Sequence, residues 1–241
     1  MRIPRLFVDD ALKVGQELVL SKETSHYIMH VLRLRIGTQL IIFNGEAGEY
    51  LAHLTAWTKK NAQINIEAYR PVERESHLKI TLAQSVSRPE RMDYAIQKSV
   101  ELGVQRIVPV LSERSPPIDE ERLQKREEHW QRIMISACEQ CGRNHLPELQ
   151  PTLSMADWLQ QPQISNCIVL SPTGTHRLKD SIETSKPITI LVGAEGGLTD
   201  KEINAAIQVG YRDISLGPRI LRTETAAVAI LTLCQGLWGD L

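Results

Sequence analysis

The fold of this chain is limited above all by a stretch near its C-terminus. An apolar, β-branched run, Ile188–Val192, stops at Gly193, and two further glycines follow within four residues. Thr199 then opens a helical pattern, and Glu202 stands three residues later, as in a capping box. This order predicts a strand, a tight glycine loop and a helix N-terminus, where N–H groups and the helix dipole favour a bound ligand.

A second unit of the same kind lies closer to the C-terminus. Residues 213–216 predict a strand that ends at Gly217. The last helix is predicted to begin at Thr223, with Thr223 or Thr225 as its cap. We expect the function of the protein to lie between these two units.

Arg219 and Arg222 follow Gly217, and no acidic residue precedes Glu224. Cations beside a helix N-terminus oppose the helix dipole, so their presence favours a bound anion or a nucleotide phosphate. The alternative is a structural role, in which one of the arginines pairs with Glu224 or Glu195.

The glycine loop does not match the common nucleotide-binding motifs. No Gly-Lys-Ser/Thr follows it, which excludes a Walker loop. The dinucleotide fingerprint belongs after the first strand of its domain, but the first strand predicted here, residues 78–86, leads to Pro89 without a glycine. The same absence argues against the common Rossmann-like methyltransferases.

The pattern along the chain changes near residue 75. The earlier part predicts one helix over residues 21–34 among short strands at residues 16–20, 38–43, 49–57 and 62–69, which favours a small closed or half-closed barrel. Residues 71–77 are polar and charged and are predicted to form a linker. Strands and helices then alternate to the C-terminus, which predicts a mostly parallel sheet.

Composition limits the class of protein without naming it. With 241 residues, 42% of them hydrophobic, and a net charge of −1, the chain is typical of an ordinary globular protein, so any nucleic-acid surface must be local. No apolar run could span a membrane, and no signal peptide is evident, so a cytoplasmic protein is expected. The four cysteines, including Cys138 and Cys141, are interpreted as packing residues, and no metal site is expected.

Two motifs carry a resemblance to a known family. Leu191-Val-Gly-Ala-Glu-Gly-Gly-Leu and Leu216-Gly-Pro-Arg-Ile-Leu-Arg-Thr-Glu-Thr resemble the two signatures of the RsmE family, the SPOUT-class 16S ribosomal RNA uridine-N3 methyltransferases. Shorter matches in the same order are Arg2-Ile-Pro-Arg5, His30-Val-Leu-Arg33, Gln97-Lys-Ser-Val-Glu-Leu-Gly-Val104, Ser112-Glu-Arg114 and Ala137-Cys-Glu-Gln-Cys-Gly-Arg143. Ala194 departs from the proline that is usual in the family, but every glycine is present.

The resemblance implies an α/β fold with a PUA-like β-barrel domain over residues 1–72 and a SPOUT domain over residues 73–241. It also implies a parallel sheet with a trefoil knot and a homodimer. The strand and helix pattern alone fits either a knotted sheet or an open doubly wound sheet. Because threaded chains are very rare, that pattern without the resemblance would predict the open sheet.

The resemblance further implies S-adenosylmethionine-dependent methylation of N3 of a uridine in 16S ribosomal RNA, on the assembled small subunit. The residues then expected to bind S-adenosylmethionine are Leu191, Gly193, Glu195, Gly196, Gly197, Leu216, Gly217, Ile220, Leu221 and Thr225. Arg219 and Arg222 would stabilise a uracil anion, while Glu195 or Glu224 would accept the N3 proton. The residues expected to contact RNA are Arg2, Arg5, Arg33, Arg35, Arg88 and Arg91.

Two other functions stay open at this point. One is a methyltransferase of the same class that acts on another RNA. The other is a non-catalytic RNA-binding assembly factor, against which the intact glycines of both loops argue. For Arg88 and Arg91, a role as solvated surface residues is an equal alternative to RNA binding.

Overall fold

The computed structural model describes residues 3–58, 61–162, 166–183 and 186–241, so the predicted RNA contact Arg2 lies outside the described residues. The chain divides into two compact units. The first unit extends to Glu75 and also contains Cys138–Leu146, and the second contains Ser76–Ala137 and Pro147–Leu241. Sequence patterns did not indicate that residues 138–146 return to the first unit.

Residues 71–77, predicted to form a linker, contain the boundary between the two units, and the returning segment is bonded to the part that belongs to the first unit. The side chain of Asn144 donates a hydrogen bond to the carbonyl oxygen of Val72 at 2.7 Å. The guanidinium Nε of Arg143 donates to Glu75 at 2.9 Å. The part of the predicted linker up to Glu75 is therefore tied into the first unit by partners far away in sequence.

The described part of the first unit is built on a five-stranded sheet. Its strands are β1 (Arg5–Phe7), β2 (Glu17–Val19), β3 (Gln39–Phe43), β4 (Glu49–Trp57) and β5 (Ala62–Arg70), in the order β1-β3-β4-β5-β2. The β1–β3 pair is parallel and the other pairs are antiparallel. The sequence analysis did not predict β1, which has only three residues and follows a proline.

The helix predicted over residues 21–34 is shorter and irregular. Helix α1 (Lys22–His26) is capped by Ser21, whose hydroxyl accepts from the N–H of Thr24, and it continues as a π-helical turn, Tyr27–Val31. The helical path ends by Arg33, which has a positive φ of 52°. A left-handed backbone at a non-glycine residue cannot continue a right-handed helix and is uncommon in folded chains.

The described part of the second unit contains a seven-stranded, wholly parallel sheet, as the alternating pattern predicts. The strands are β6 (Ile80–Ser85), β7 (Arg106–Leu111), β8 (Glu148–Leu149), β9 (Leu153–Ser154), β10 (Asn166–Leu170), β11 (Ile188–Val192) and β12 (Arg212–Ile214). Their order is β12-β10-β11-β6-β7-β8, and β9 also pairs with β7. Every residue of β11 is buried, which is typical of a parallel strand covered on both faces.

The α-helices in the rest of the described residues are α2 (Pro89–Glu101), α3 (Glu120–Cys141), α4 (Met155–Leu159), α5 (Asp200–Gln208) and α6 (Thr223–Trp238), and Leu178–Asp180 forms a short 3-10 helix. The capping box predicted for α5 is confirmed: the Thr199 hydroxyl accepts from the N–H of Glu202, whose carboxylate accepts from the N–H of Thr199. In the described ranges, the structure has no helix long and apolar enough to cross a membrane.

Candidate active site

The loops that follow β10, β11 and β12 meet around a cavity of about 250 Å³. This is slightly below the roughly 300–1,000 Å³ of typical small-molecule pockets. The lining residues are Leu170, Ser171, Pro172, Val192, Gly193, Ala194, Glu195, Gly196, Gly197, Ile214, Ser215, Leu216, Gly217, Arg219, Ile220, Leu221, Thr223 and Ala226. A cavity at the carboxyl ends of parallel strands is where α/β sheets usually bind their ligands.

Most of the residues expected to bind the cofactor line this cavity. These are Gly193, Glu195, Gly196, Gly197, Leu216, Gly217, Ile220 and Leu221. Leu191 and Thr225 are not among the lining residues, because Leu191 lies inside the sheet core and is fully buried. Thr225 is exposed in the first turn of α6. Ile220 is 85% exposed, an unusual position for an isoleucine and one that leaves it open to contact a ligand.

Sequence reasoning missed the contribution of the loop after β10. Leu170, Ser171 and Pro172 line the cavity beside the two predicted loops. A signal for them was present, since the apolar run Cys167–Leu170 belongs to the alternating pattern of strands and helices, and parallel strands bring their carboxyl ends to one edge. That loop carries no glycine cluster, so the motif search passed over it.

The glycine loop is tight for steric and conformational reasons. A Cβ on Gly193 would lie 2.7 Å from the carbonyl carbon of Gly197, a distance that real side chains do not tolerate. The N–H of Gly197 donates to the carbonyl oxygen of Ala194 at 2.9 Å and closes a turn, and Gly197 has a φ of 71°. A side chain is therefore excluded at Gly193 by contact and disfavoured at Gly197 by backbone geometry.

The same loop leaves room for a ligand. A Cβ placed on Gly197 would meet no heavy atom within 4 Å, so the space beside this residue is open. The lining of the cavity combines apolar side chains, among them Leu216 and Leu221, with the glycine loop. The cavity therefore fits a small molecule that combines an apolar ring with polar groups, which is the character of S-adenosylmethionine.

The N-terminus of α6 has no side-chain cap, and the prediction that Thr223 or Thr225 would provide one is wrong. Arg222 occupies the N-cap position and makes no capping hydrogen bond. The Thr223 hydroxyl instead donates to the carbonyl oxygen of Gly193 at 2.6 Å. A tertiary partner thus replaces the local one, and the first N–H groups of α6 have no side-chain acceptor of the capping kind.

Arg219 and Arg222 are exposed, and neither guanidinium has an ion-pair partner within the described ranges. Arg219 lines the cavity, whereas Arg222 does not. The structural alternative for these arginines, an ion pair with Glu195 or Glu224, is not what the structure contains. Arg219 therefore gives the mouth of the cavity a positive charge.

A third arginine pairs with those two glutamates. Arg91 Nε lies 3.7 Å from Glu195, and Arg91 Nη1 lies 3.3 Å from Glu224. The backbone N–H of Arg88 also donates to Glu195, at 2.8 Å. Arg91 was predicted to contact RNA phosphates, and in the structure its guanidinium lies beside two carboxylates; contact with RNA stays a prediction. Arg88 keeps an exposed side chain.

Comparisons with known proteins show similarity to RNA methyltransferases over both units of the chain. The RNA methyltransferase domain family matches residues 74–235, and the RNA methyltransferase PUA domain family matches residues 20–67. A ribosomal RNA small subunit methyltransferase E from Buchnera aphidicola subsp. Schizaphis graminum is 38% identical, over 100% of this chain and 98% of its own.

The chain belongs to the ribosomal RNA small subunit methyltransferase E (RsmE) family. A Legionella pneumophila protein solved with bound S-adenosylmethionine has a TM-score of 0.96 to this structure and 39% identity, covering 100% of both chains. The Neisseria gonorrhoeae RsmE bound to S-adenosylmethionine has a TM-score of 0.93 and 39% identity, again covering 100% of both chains.

A further arginine in an RsmE motif, Arg114, braces the glycine loop from outside the cavity. Its guanidinium donates to the carbonyl oxygens of Gly196 at 2.5 Å and Leu198 at 3.4 Å. Beside it, the N–H of Glu113 donates to the buried carboxylate of Glu202 at 2.8 Å. The Ser112-Glu-Arg114 match carried no role in the sequence analysis, because its partners lie more than eighty residues away.

In the first unit, the arginines predicted to contact RNA differ in their exposure to solvent. Arg33 and Arg35 are exposed. The Arg5 side chain is only 5% exposed; it forms an ion pair with Glu49 and donates to the carbonyl oxygen of Arg143 at 3.1 Å and to Asn144 at 2.8 Å. Arg5 is therefore a buried structural residue, and its predicted contact with RNA is corrected.

Cys138 and Cys234 are buried residues that pack in the interior of their units. Burial raises the pKa of the Cys138 thiol to about 12, and it raises the pKa of Cys234 to about 12 as well. Both thiols stay protonated at neutral pH, and the thiolate is the form that attacks electrophiles or binds metals. The packing interpretation of Cys138 follows from its surroundings.

Proposed function

We propose that this protein transfers a methyl group from S-adenosylmethionine to N3 of a uridine in 16S ribosomal RNA. The observation that carries the proposal is the cavity formed by the loops after β10, β11 and β12, with its glycine turn and adjacent arginine. Support comes from RsmE relatives, which are named for the RNA of the small ribosomal subunit, and from neighbours whose structures contain S-adenosylmethionine.

The chain would hold the cofactor largely through its backbone. Peptide groups of Gly193–Gly197 would bind its polar parts, and Leu216, Ile220 and Leu221 would enclose its adenine. When bound, S-adenosylmethionine supplies a methyl group on a positively charged sulfur, which makes that methyl group susceptible to attack by a nitrogen lone pair. Close approach of the cofactor to the backbone depends on the missing side chains of the glycines.

Arg219 would stabilise the charge that develops on the base. N3 of uracil carries a proton, and its loss places negative charge on N3 and on the two carbonyl oxygens beside it. A preorganised cation within a partly enclosed site stabilises such charge at little reorganisation cost. Arg219 lines the cavity and has no carboxylate partner in the described chain, so its charge is available for this role. Arg222 stands nearby in sequence as a second, outer cation.

Glu195 is the better of the two candidates for accepting the N3 proton. It lines the cavity, whereas Glu224 does not. Glu195 Oε1 accepts from Arg88 and lies near Arg91, while no described residue donates to its Oε2. One oxygen thus anchors the carboxylate and the other faces no competing donor, which is the arrangement a positioned base needs.

The substrate uridine would be unpaired or flipped out of its helix, because N3 lies on the Watson–Crick edge. Exposed Arg33, Arg35 and Arg88 are proposed as phosphate contacts. We further propose that the substrate is the assembled small subunit, whose folded RNA presents a shape that free RNA lacks. A ribosomal substrate would place the protein in the cytoplasm.

Two structural features of the family are proposed for this chain as well. The first is a trefoil knot, supported by the family to which the chain belongs. The second is a homodimer, supported by exposed apolar side chains on packed helices: Tyr94 of α2 and Leu233 and Leu237 of α6. Light scattering of the purified protein would report the mass of the dimer.

The decisive experiment uses small subunits from a strain that lacks the gene. The subunits are incubated with the protein and S-adenosylmethionine, and the 16S RNA is then digested and its nucleosides mapped by mass. We expect one 3-methyluridine, formed more efficiently on subunits than on free RNA. Methylation of a different RNA would favour the first alternative function. No binding of S-adenosylmethionine at millimolar concentration in calorimetry would favour the non-catalytic assembly factor.

A further inference from the structure

Gln84 has a buried side-chain amide that contacts Gly193, the first residue of the glycine loop, and Thr223, the first residue of α6. It is the penultimate residue of β6, its side chain is completely buried, and in the parallel register it lies opposite Val192, the residue before Gly193. Its Nε2 donates to the Thr223 hydroxyl at 2.9 Å. We propose that Gln84 is a positioning residue for the cofactor cavity, acting through Thr223 and Gly193; this inference rests on the proposed function.

The orientation of the amide follows from its neighbours. Three acceptors surround Nε2: the Thr223 hydroxyl at 2.9 Å, the Ser85 carbonyl at 3.2 Å and the Gly193 carbonyl at 3.5 Å. If the amide were flipped, its oxygen would face two carbonyl oxygens, which cannot donate. The chemistry of the surroundings therefore fixes the NH2 group toward these acceptors.

This orientation also fixes the Thr223 hydroxyl. One of its lone pairs accepts from Gln84, so its single hydrogen is directed to the Gly193 carbonyl at 2.6 Å. The result is a short relay from β6, through the first residue of α6, to the first residue of the glycine loop. Gly193 and Thr223 line the cavity and Gln84 does not, so Gln84 acts on the cavity through them.

The oxygen of the amide, Oε1, shows that a contribution to stability does not account for a glutamine at position 84. Its Oε1 is buried and has no hydrogen-bond partner among the described residues. A buried, unsatisfied carbonyl oxygen is costly to a folded protein, whereas an apolar side chain of the same shape would carry no such cost. An apolar side chain would therefore pack at this position at lower cost, but only the amide can donate a hydrogen bond to Thr223.

Loss of the amide would leave its acceptors satisfied. The Ser85 carbonyl also accepts from the Ser87 hydroxyl at 3.1 Å, and the Gly193 carbonyl keeps its bond from Thr223. Gln84→Met should therefore change global stability little. It would leave the Thr223–Gly193 hydrogen bond without the second bond that orients the Thr223 hydroxyl, and the spacing between the glycine loop and α6 would become less defined.

The full-length protein without ligand allows a direct test. Calorimetry with S-adenosylmethionine gives Kd, and thermal melting gives Tm, for Gln84→Met, Thr223→Val and the double variant. We expect Gln84→Met to raise Kd about five- to tenfold, the equivalent of one hydrogen bond. The double variant should bind no more weakly than Thr223→Val alone, because the two residues act in one relay.

Gln235 provides a matched control. It is also a buried glutamine of the second unit, but it accepts from Ser76 at 2.8 Å and donates to the Leu102 carbonyl at 2.9 Å, and it does not line the cavity. Gln235→Met should lower Tm more than Gln84→Met does, since it loses two buried hydrogen bonds, and should leave Kd within about twofold of its value, since neither bond involves a residue that lines the cavity.

Several results would overturn the positioning role. An unchanged Kd for Gln84→Met, or additive losses of affinity in the double variant, would show that Gln84 does not act through Thr223. If Gln84→Met does not fold, Thr223→Ser, which keeps the hydroxyl, is compared with Thr223→Val; equal Kd values would reject the relay. Failure of the unmodified protein to bind S-adenosylmethionine would instead reject the proposed function.

Discussion

The guanidinium of Arg91 lies 3.3 Å from the carboxylate of Glu224 and joins α2 to the first turn of α6. The same arginine reaches Glu195 of the glycine loop at 3.7 Å. One cation thus pairs with two carboxylates, of which Glu195 lines the cavity and Glu224 does not. Arg219 is left without a carboxylate partner in the described chain, so the positive charge beside the cavity belongs to it.

The first prediction concerns this ion cluster. The Arg91 side chain is 29% exposed, between the burial of a surface pair and that of a core pair. Arg91→Met should therefore cost about 1–2 kcal/mol of unfolding free energy, between the values typical of exposed and buried pairs. Denaturant unfolding measures this cost.

Arg88→Ala is the matched control, because Arg88 is exposed and only its backbone contacts Glu195. It should leave stability unchanged and should reduce the salt dependence of RNA binding. The assignment of Arg91 would be wrong if Arg91→Met kept full stability and lost RNA affinity instead.

The second prediction separates binding from chemistry at Arg219. Since its charge is needed only as the uracil anion forms, Arg219→Ala should lower kcat by about 10²-fold or more, as the loss of an oxyanion donor does in other enzymes. Kd for S-adenosylmethionine should change much less. Arg222→Ala, which removes a cation that does not line the cavity, should have a smaller effect on kcat. Equal losses in kcat and in cofactor affinity for Arg219→Ala would make it a binding residue.

The third prediction distinguishes the two glutamates. Glu195→Gln should lower kcat by about 10²-fold, the scale of a lost general base, because Glu195 lines the cavity. Glu224→Gln should mainly lower Tm, because its carboxylate faces Arg91 and not the cavity. The reverse pattern in single-turnover assays would assign the proton to Glu224.

The sequence predicted those parts of the structure whose contacts are between residues close in the chain. The β-branched run of β11, the glycines after it and the Thr199–Glu202 capping box depend on residues close in sequence, and they are found as predicted. Thr223 also had the local pattern of a cap. It bonds instead to Gly193, thirty residues away, because that carbonyl lies within reach in the folded sheet.

The roles of the arginines could not be predicted in the same way. A motif gives the residue type at a position, but not the carboxylate that will meet it. Arg91 meets Glu224 across 133 residues, and Arg5 meets Glu49 across 44. These partners are set by the order of strands and helices in space, which no window of the sequence contains.

The fourth prediction concerns pH and the loop that follows β10. Burial alone would raise the pKa of Asp213, but hydrogen bonds from His176 and from the N–H of Thr175 outweigh it, so the pKa of Asp213 falls below its ordinary 3.8. A lowered pKa in the folded state stabilises the protein above the ordinary value, and this stabilisation is lost as pH falls through the lowered one.

Asp213→Asn should therefore be less stable than the unmodified protein at neutral pH, and the difference should shrink as the pH falls below about 4. Urea unfolding of both proteins across this range measures it. A difference independent of pH would mean that the carboxylate charge has no part in holding the loop.

The fifth prediction concerns Glu49, which is fully buried in the first unit. Its carboxylate pairs with Arg5 and lies 3.2 Å from both Arg70 and Arg74. Glu49→Gln would leave the buried Arg5 guanidinium without its counter-charge, and such losses cost about 3–5 kcal/mol. Arg5→Met should cost less, because Glu49 would keep Arg70 and Arg74.

Chemical denaturation of the two variants tests this order. Arg35→Ala is the control for RNA binding, since Arg35 is exposed and should affect RNA affinity without affecting stability. If Arg5→Met folded as stably as the unmodified protein and bound RNA more weakly, Arg5 would be an RNA contact after all. Because its guanidinium is directed at Glu49, Asn144 and the Arg143 carbonyl, we expect the loss to fall on stability.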